Sequence, residues 1–244
     1  MATQVIKKFT SWSFSRYSDW RECPLKAKLK HLDKIQEPKS PAMERGTAIH
    51  DMAEKYLKGL LAKLPAELKL FADEFKKLKA LYKKRTLPMI VEDNWAFTAE
   101  WTETQWNDWV NCWVRIKLDC AHYESESVLH VTDWKTGKYK DTKHVEYLEQ
   151  LELYALAALL LHEHIEEVRP RLVYLDEGVV HPKPEDPLVY TRADVKKLMA
   201  SWNKRVKPMM SDTKFVPKPN ANCTWCFFGQ AGKAKKGGPG ICKF

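Results

Sequence analysis

No run of apolar residues in the 244-residue chain reaches the length of about 18 that a membrane-crossing helix needs, so no transmembrane segment is expected. The opening residues, Met-Ala-Thr-Gln-Val-Ile-Lys-Lys, hold no apolar stretch of the kind a secretory signal carries, and a cytoplasmic protein is the expectation. No Gly-x-x-x-x-Gly-Lys-Ser/Thr loop occurs and no helicase motif accompanies it, so any chemistry should run without ATP. No internal repeat excludes a solenoid or propeller. Cysteines number six, too few and too scattered for a disulfide scaffold, and in a reducing compartment they stay unpaired.

What is present is an ordinary globular composition, 44% hydrophobic and 30% charged, with a net charge of +9. Such a surplus fits an anionic partner, nucleic acid first, and fits a basic but merely solvated surface equally well. Residues 9–35 begin with Ser11 and Ser13, either of which can cap a short helix, and continue through Cys23-Pro24 into a basic helical run. Residues 42–64 place Ile49, Ala53, Leu57, Leu60 and Leu61 at helical period, with Gly46 and His50 in the first turns. A glycine there permits close backbone approach. Residues 66–84 read as a lysine-rich surface helix.

Residues 95–134 change character. Aromatic and β-branched residues alternate through 95–103, 109–121 and 127–134, which predicts an antiparallel meander. Trp95, Trp101, Trp109 and Trp113 should then pack in the core, and Cys112 and Cys120 should be small buried hydrophobes. Thr136-Gly137-Lys138 forms a turn, and residues 145–165 make a helix buried on more than one face. Strands over 169–175 and 188–191 follow, then a helix over 192–206 and a Pro-, Gly- and Lys-rich tail from 214.

The centre of this pattern is Asp133-Trp134-Lys135 at the end of an apolar run. In a strand, residues two apart share a face, so a carboxylate and an ammonium stand side by side. Gln150 and Tyr154 in the next helix are four apart and also share a face. Hydrolysis of a phosphodiester needs an activated water and relief of charge on the phosphoryl oxygens. Asp119 and Asp133 on neighbouring strands can hold Mg²⁺ or Mn²⁺, hard ions that prefer oxygen. A lysine two residues on can orient the water or neutralise developing charge.

The order Gly-x-x-x-His ending at His50, then Asp119, then Asp133-x-Lys135-Thr-Gly-Lys, then Gln150-x-x-x-Tyr154 resembles the PD-(D/E)XK nuclease superfamily, and within it the RecB-like branch. The resemblance implies a restriction-endonuclease-like α/β core, a small central mixed sheet flanked by helices. It implies His50, Asp119, Asp133 and the carbonyl of Trp134 as metal ligands, Lys135 as the catalytic lysine, and Gln150 and Tyr154 as supports of the site and of the substrate strand. The glycine usual shortly before the first aspartate is replaced by Ile116-Lys117-Leu118.

Cys23, Cys223, Cys226 and Cys242 supply four thiolates, enough for a 4Fe–4S cluster or a structural zinc. A Cys-x-x-Cys pair with one further C-terminal cysteine and one from the N-terminal region resembles the iron–sulfur clasp of AddB-type and CRISPR-associated RecB-like exonucleases. On that likeness a single nuclease domain is expected, with a catalytic core over 42–206. Residues 1–41 and 207–244 would form a helical lobe around the cluster, which pins a tail too poor in apolar residues to hold itself. Trp12 and Trp20 are candidates for stacking single-stranded bases, and Arg16, Arg21, Lys26 and Lys138 for phosphate contacts.

Together these readings describe a metal-dependent DNA nuclease, an exonuclease on single-stranded or frayed ends in DNA recombination or processing, working in a bacterial or phage-infected cell. The lack of a separate recognition domain argues against a sequence-specific endonuclease. The alternatives are an endonuclease on branched or single-stranded DNA and a catalytically silent DNA-binding adaptor on the same fold. A partner protein is compatible with all three.

Overall fold

The computed structural model describes residues 7–244. The chain divides into two compact units, one of residues 1–39 and 203–244, the other of residues 40–202. Among the described residues no helix is long and apolar enough to cross a membrane.

The larger unit is a mixed sheet flanked by helices. It opens with helix α3, Pro41–Leu57, which follows two short helices of the other unit, α1 (Phe14–Glu22) and α2 (Pro24–Ala27). Ser40 caps α3, its hydroxyl accepting from Met43 N, and Pro41 occupies the first turn, where its missing N–H costs nothing. A 3₁₀ segment, Ala66–Phe71, leads into α4, Ala72–Lys84, closed by Arg85 in the left-handed region.

Strands β1 (Met89–Phe97), β2 (Val114–Tyr123) and β3 (Val128–Lys135) form an antiparallel meander. Helix α5, His144–Leu161, then carries the chain to β4, Glu167–Tyr174, which lies parallel to β3. A parallel pair requires such a crossover. The short β5 (Val179–His181) and β6 (Tyr190–Thr191) both pair antiparallel with β4, giving the order β1-β2-β3-β4-β5 with β6 at the far end of β4. Helix α6, Val195–Ser211, follows.

Strand alternation assigns the two faces. Val91, Cys120, Trp134 and Val173 point into one core with Ile49, Ala53 and Leu57 of α3 and Phe75 and Leu78 of α4. Phe75 and Trp134 lie centroid to centroid at 5.4 Å. The opposite face receives α5, whose Leu151, Leu153 and Ala155 through Leu159 are all buried, as its nearly unbroken apolar sequence predicts.

The meander differs from expectation at its first connection. Residues 98–113 are not strand but an extended loop between β1 and β2, and Trp109 is 80% exposed instead of packed. Side-chain oxygens explain this. Thr98 Oγ1 accepts from the backbone of Glu100 and Thr102, and Asp108 Oδ1 accepts from Val110 and Asn111, offering these amides partners that compete with a ladder. Trp95 and Trp101 are buried and Trp113 is half-buried, and Cys112 and Cys120 are buried thiols as expected.

The smaller unit is helical. Ser13 caps α1, and α2 runs into a π-helical turn, Lys28–Leu32. Its C-terminal part holds a 3₁₀ turn, Ala221–Trp225, and helix α7, Gln230–Lys236. Leu29, Phe227 and Phe228 form one small apolar cluster in it with Leu25, Ile35 and Cys226.

Phe75 is fully buried between α4 and the sheet. Phe75→Ala is expected to cost about 3–5 kcal/mol, read as a lower urea midpoint; a loss below about 1 kcal/mol would contradict the core assigned to α4.

Candidate active site

The register of three strands builds the site. Val91 stands opposite Cys120 and Asp93 opposite Leu118, which places Glu92 across from Asp119. Cys120 stands opposite Thr132, and one step further along the same register Asp119 meets Asp133. A row of three carboxylates therefore runs across β1, β2 and β3. The β2–β3 ladder ends at Cys120 and Thr132, and beyond it the amide of Trp134 donates to Asp119 Oδ2 at 2.8 Å. A side-chain carboxylate thus replaces a backbone acceptor at the fork where the strands part.

Around this row sit the groups that neutralise it. Lys135 Nζ lies 2.6 Å from Asp133 Oδ2. The Tyr154 hydroxyl donates to Asp133 Oδ1 at 2.6 Å, and Gln150 Nε2 donates to Tyr154 Oη at 3.0 Å and to Asp133 Oδ1 at 3.4 Å. The i,i+4 pair on α5 thus acts on one oxygen. From α3, His50 Nδ1 stands 3.3 Å from Asp119 Oδ1 and 3.7 Å from Glu92 Oε1. Lys117 Nζ pairs with Glu92 Oε2 at 2.8 Å.

The electrostatics follow from burial and neighbours. Burial raises the Asp119 carboxyl above the usual range, and Asp133 beside it adds to the rise against the opposing pull of His50. Burial alone would lower the His50 imidazole, but its contacts with Asp119 and Glu92 raise it to about 10. Burial likewise works against the charged forms of Glu92 and Lys135. His50 and Lys117 nevertheless hold Glu92 below its ordinary value, and Asp133 holds Lys135 above its own.

His50, Glu92 and Asp119 present ligand atoms that all lie within 4.8 Å of one another, the one group of this kind among the described residues. Glu92 Oε1 is buried without a hydrogen-bond partner. A buried carboxylate oxygen facing an imidazole and a second carboxylate fits a divalent cation. Glu92 is an addition to the expected set, whereas the carboxylate of Asp133 is drawn toward Lys135 and Tyr154 and stands outside this three-residue group. Glu92 also holds a φ of +53° within β1. For a non-glycine residue that conformation is uncommon and concentrates at functional positions. The sequence signal is faint: a Glu-Asp-Asn run interrupting an apolar strand.

The turn after Lys135 is tied to α3. Gly137, at φ +98°, donates its N–H to Asp176 Oδ2 at 2.7 Å, and Arg45 pairs with the same carboxylate. A Cβ on Gly46 would meet Thr136 Oγ1 at 3.0 Å, so the expected close approach occurs at this turn. An open cleft of about 280 Å³, lined by Gly46, Thr47, His50, Glu54, Glu92 and Lys117, gives access to the histidine and Glu92.

In the smaller unit, Cys23, Cys223, Cys226 and Cys242 all line one cavity of about 190 Å³. The return of the chain after α7 closes the long gap before Cys242, whose N–H donates to Phe228 O at 2.9 Å. Backbone amides of Lys218 and Asn220 donate to the sulfurs of Cys23 and Cys223 at 3.4 and 3.3 Å.

The expected nucleic-acid contacts fare differently. Trp12 is fully buried and has no face to offer a base. Trp20 is half-buried with its indole N–H donating to Asp212 at 2.9 Å. Lys26 is engaged by Glu22 and Asp19 at 2.5 and 3.1 Å, so its charge is already compensated. Arg16 donates to Ser11 Oγ and O, and Arg21 lies over the Tyr17 ring. Trp12 is thus a packing residue, Lys26 is ion-paired, and Lys138 remains exposed on its loop.

A family model of the PD-(D/E)XK nuclease superfamily matches residues 11–231, and the chain belongs to that superfamily. Among solved structures it is similar to SSO0001, at 15% identity and a TM-score of 0.45, covering 91% of this chain and 85% of that one. It is also similar to a protein of Eubacterium rectale provisionally described as an exonuclease, at 10% identity and a TM-score of 0.49, covering 91% and 88%. No curated protein matches the chain.

Tyr154→Phe leaves Asp133 Oδ1 with the long contact to Gln150 alone. The expected cost is about 1–3 kcal/mol of stability, measured by chemical unfolding in EDTA. An unchanged midpoint would show that the hydroxyl does not support the carboxylate.

Proposed function

We propose that this chain is a Mg²⁺- or Mn²⁺-dependent DNA nuclease of the RecB-like branch, acting as an exonuclease on single-stranded or frayed ends. The observation that carries the reading is the carboxylate row flanked by His50 on one side and Lys135 on the other. His50, Glu92, Asp119 and Asp133, with the carbonyl of Trp134, would hold the ion. When bound it supplies Lewis-acid polarisation of the phosphodiester and a more acidic water. An imidazole in the set suits manganese at least as well as magnesium.

The chain's own residues do the rest. Lys135, held charged by Asp133, presents its ammonium where charge develops on the phosphoryl oxygens. Tyr154 and Gln150 fix Asp133 by occupying its other oxygen. The loop lysines beside Lys135, Lys138 among them, supply the positive field that draws a phosphate backbone toward the cleft. The family itself supports nuclease chemistry; the preference for ends is drawn from the sequence likeness.

The four cysteines belong to the same reading as ligands of a 4Fe–4S cluster. Tetrahedral zinc with Zn–S near 2.3 Å would draw its sulfurs to about 3.8 Å of one another. Among the described residues no three cysteines come within 4.8 Å, while all four line one cavity and two sulfurs accept backbone N–H bonds. A shared cavity with backbone donors to sulfur suits a four-thiolate iron–sulfur cluster, with structural zinc as the alternative.

Digestion of end-labelled linear single strands, linear duplex and closed single-stranded circles in Mn²⁺, Mg²⁺ or EDTA tests the activity. Linear DNA should be lost only with metal, circles spared, and Lys135→Ala slowed by roughly 100-fold or more. Cut circles would make it an endonuclease, and metal-loaded protein that binds DNA without cutting would make it an adaptor.

Two further outcomes are expected. Glu92→Gln should weaken Mn²⁺ binding by roughly ten-fold or more in calorimetry, and unchanged affinity would remove Glu92 from the ion site. Protein purified without oxygen should absorb near about 400 nm and carry iron. Cys226→Ser should lose both; zinc with no such absorption would overturn the cluster.

A further inference from the structure

Beside Lys135, five aromatic rings join in one cluster that the catalytic contacts leave unused. Tyr174 of β4 stands opposite Lys135 in the parallel register and so on the same face of the sheet. Tyr147 lies one turn before Gln150 on α5, close enough to act electrostatically on Lys135, and its ring is 6.0 Å from that of Tyr174. These two are buried. Outward from them the cluster continues through Tyr139, at 5.5 Å from Tyr147 and 5.4 Å from Tyr174, and His181, at 5.2 Å from Tyr139. It ends in His144, 5.1 Å from His181. Tyr139 and His181 are half-exposed and His144 is exposed.

The cluster therefore has a buried base and an open rim, where lysines stand beside the carboxylates of Asp141 and Glu177. Lys138 and Lys140 flank Tyr139 on the loop that leaves Lys135, both exposed and neither forming an ion pair among the described residues. Lys143 at the start of α5 makes one loose contact with Glu146, at 3.5 Å. Core packing accounts for Tyr147 and Tyr174. It does not account for three more rings stepping out to solvent beside Lys138 and Lys140, next to the Lys135 ammonium.

We propose that Tyr139, His144 and His181 form a nucleobase-stacking subsite for the single-stranded nucleotide adjoining the scissile phosphate, with Lys138 and Lys140 on its backbone. This rests on the nuclease reading above and deepens it by naming how the strand is gripped. Aromatic rings beside cations hold single strands without regard to sequence, because every base has a π-face. A paired base cannot present that face, so the subsite selects single-stranded or frayed ends over intact duplex.

The test uses the full-length protein and a set of short single strands, each with one abasic nucleotide at a different position. Binding is read by fluorescence anisotropy in EDTA, and cutting is read separately in Mn²⁺. Wild-type protein should lose roughly ten-fold in affinity when one particular base, next to the cut, is missing. Tyr139→Ala should bind the intact strand as weakly as wild type binds that abasic strand, with no further loss when both changes are combined. Tyr139→Phe, which keeps the ring, should behave as wild type, and His144→Ala should show a smaller loss at the same position. Equal wild-type affinity for every abasic strand overturns the subsite. So does a Tyr139→Ala loss that is the same on intact and abasic strands. If wild type cuts nothing in Mn²⁺, the nuclease reading fails separately, because the binding arm still reports on the rings.

Discussion

Three carboxylates on adjacent strands cannot stay ionised in a half-buried row without counter-charge, and much of the larger unit is arranged to supply it. Burial and like charges a few ångströms apart both raise a carboxyl's proton affinity, and Asp119 is shifted upward first by burial and then by Asp133 beside it. His50 from α3, Lys117 from β2, Lys135 from β3 and the Tyr154 hydroxyl from α5 each answer one part of that charge. The helices are anchored accordingly, α3 through Ile49 and Ala53 under the sheet and α5 through its apolar length over it. The apolar core fixes where the helices lie. The carboxylate row fixes which polar residues they must present.

The strongest elements were legible because each carried two agreeing signals. Asp133 and Lys135 sit at the end of an apolar β-prone run, and the period of two brings them to 2.6 Å. Gln150 and Tyr154 sit four apart in a helix and meet at one oxygen. The fourteen-residue spacing of Asp119 and Asp133 is the span of a hairpin whose register sets them opposite each other. Glu92 was not legible, because strand alternation gives no reason to turn a glutamate into the site at a φ of +53°. Lys117, in the Ile116-Lys117-Leu118 stretch that replaces the glycine usual before the first aspartate, is the partner of that glutamate. Trp109 and Trp12 failed in opposite directions for one reason. A tryptophan's neighbours in sequence do not say whether a turn lifts it into solvent, as Asp108 does for Trp109, or whether tertiary packing encloses it, as for Trp12.

The smaller unit follows a different economy. One of its apolar clusters is a few residues, Leu29, Phe227 and Phe228 with their neighbours, beside other buried rings, Phe9, Trp12, Tyr17 and Phe215. Ion pairs add order around Asp19, which accepts from Lys30 and His31 at 2.8 Å each. N-terminal and C-terminal segments of this unit are joined by hydrogen bonds such as Trp20 to Asp212 and Asn220 to Glu22 O, and the four thiols at one cavity offer a further link where a metal binds them. The candidate catalytic residues sit on strands and helices whose positions are set by packing, whereas under the proposed function the tail would be held in part by ligation.

The most direct test of the central claim is anomalous scattering from crystals soaked in Mn²⁺. The account requires a single strong peak among His50, Glu92, Asp119 and Asp133, at the roughly 2.0–2.6 Å ligand distances typical of hard divalent ions. A peak elsewhere, or one whose ligands leave out both Glu92 and Asp119, would contradict the assignment of the carboxylate row as the centre on which the fold is built.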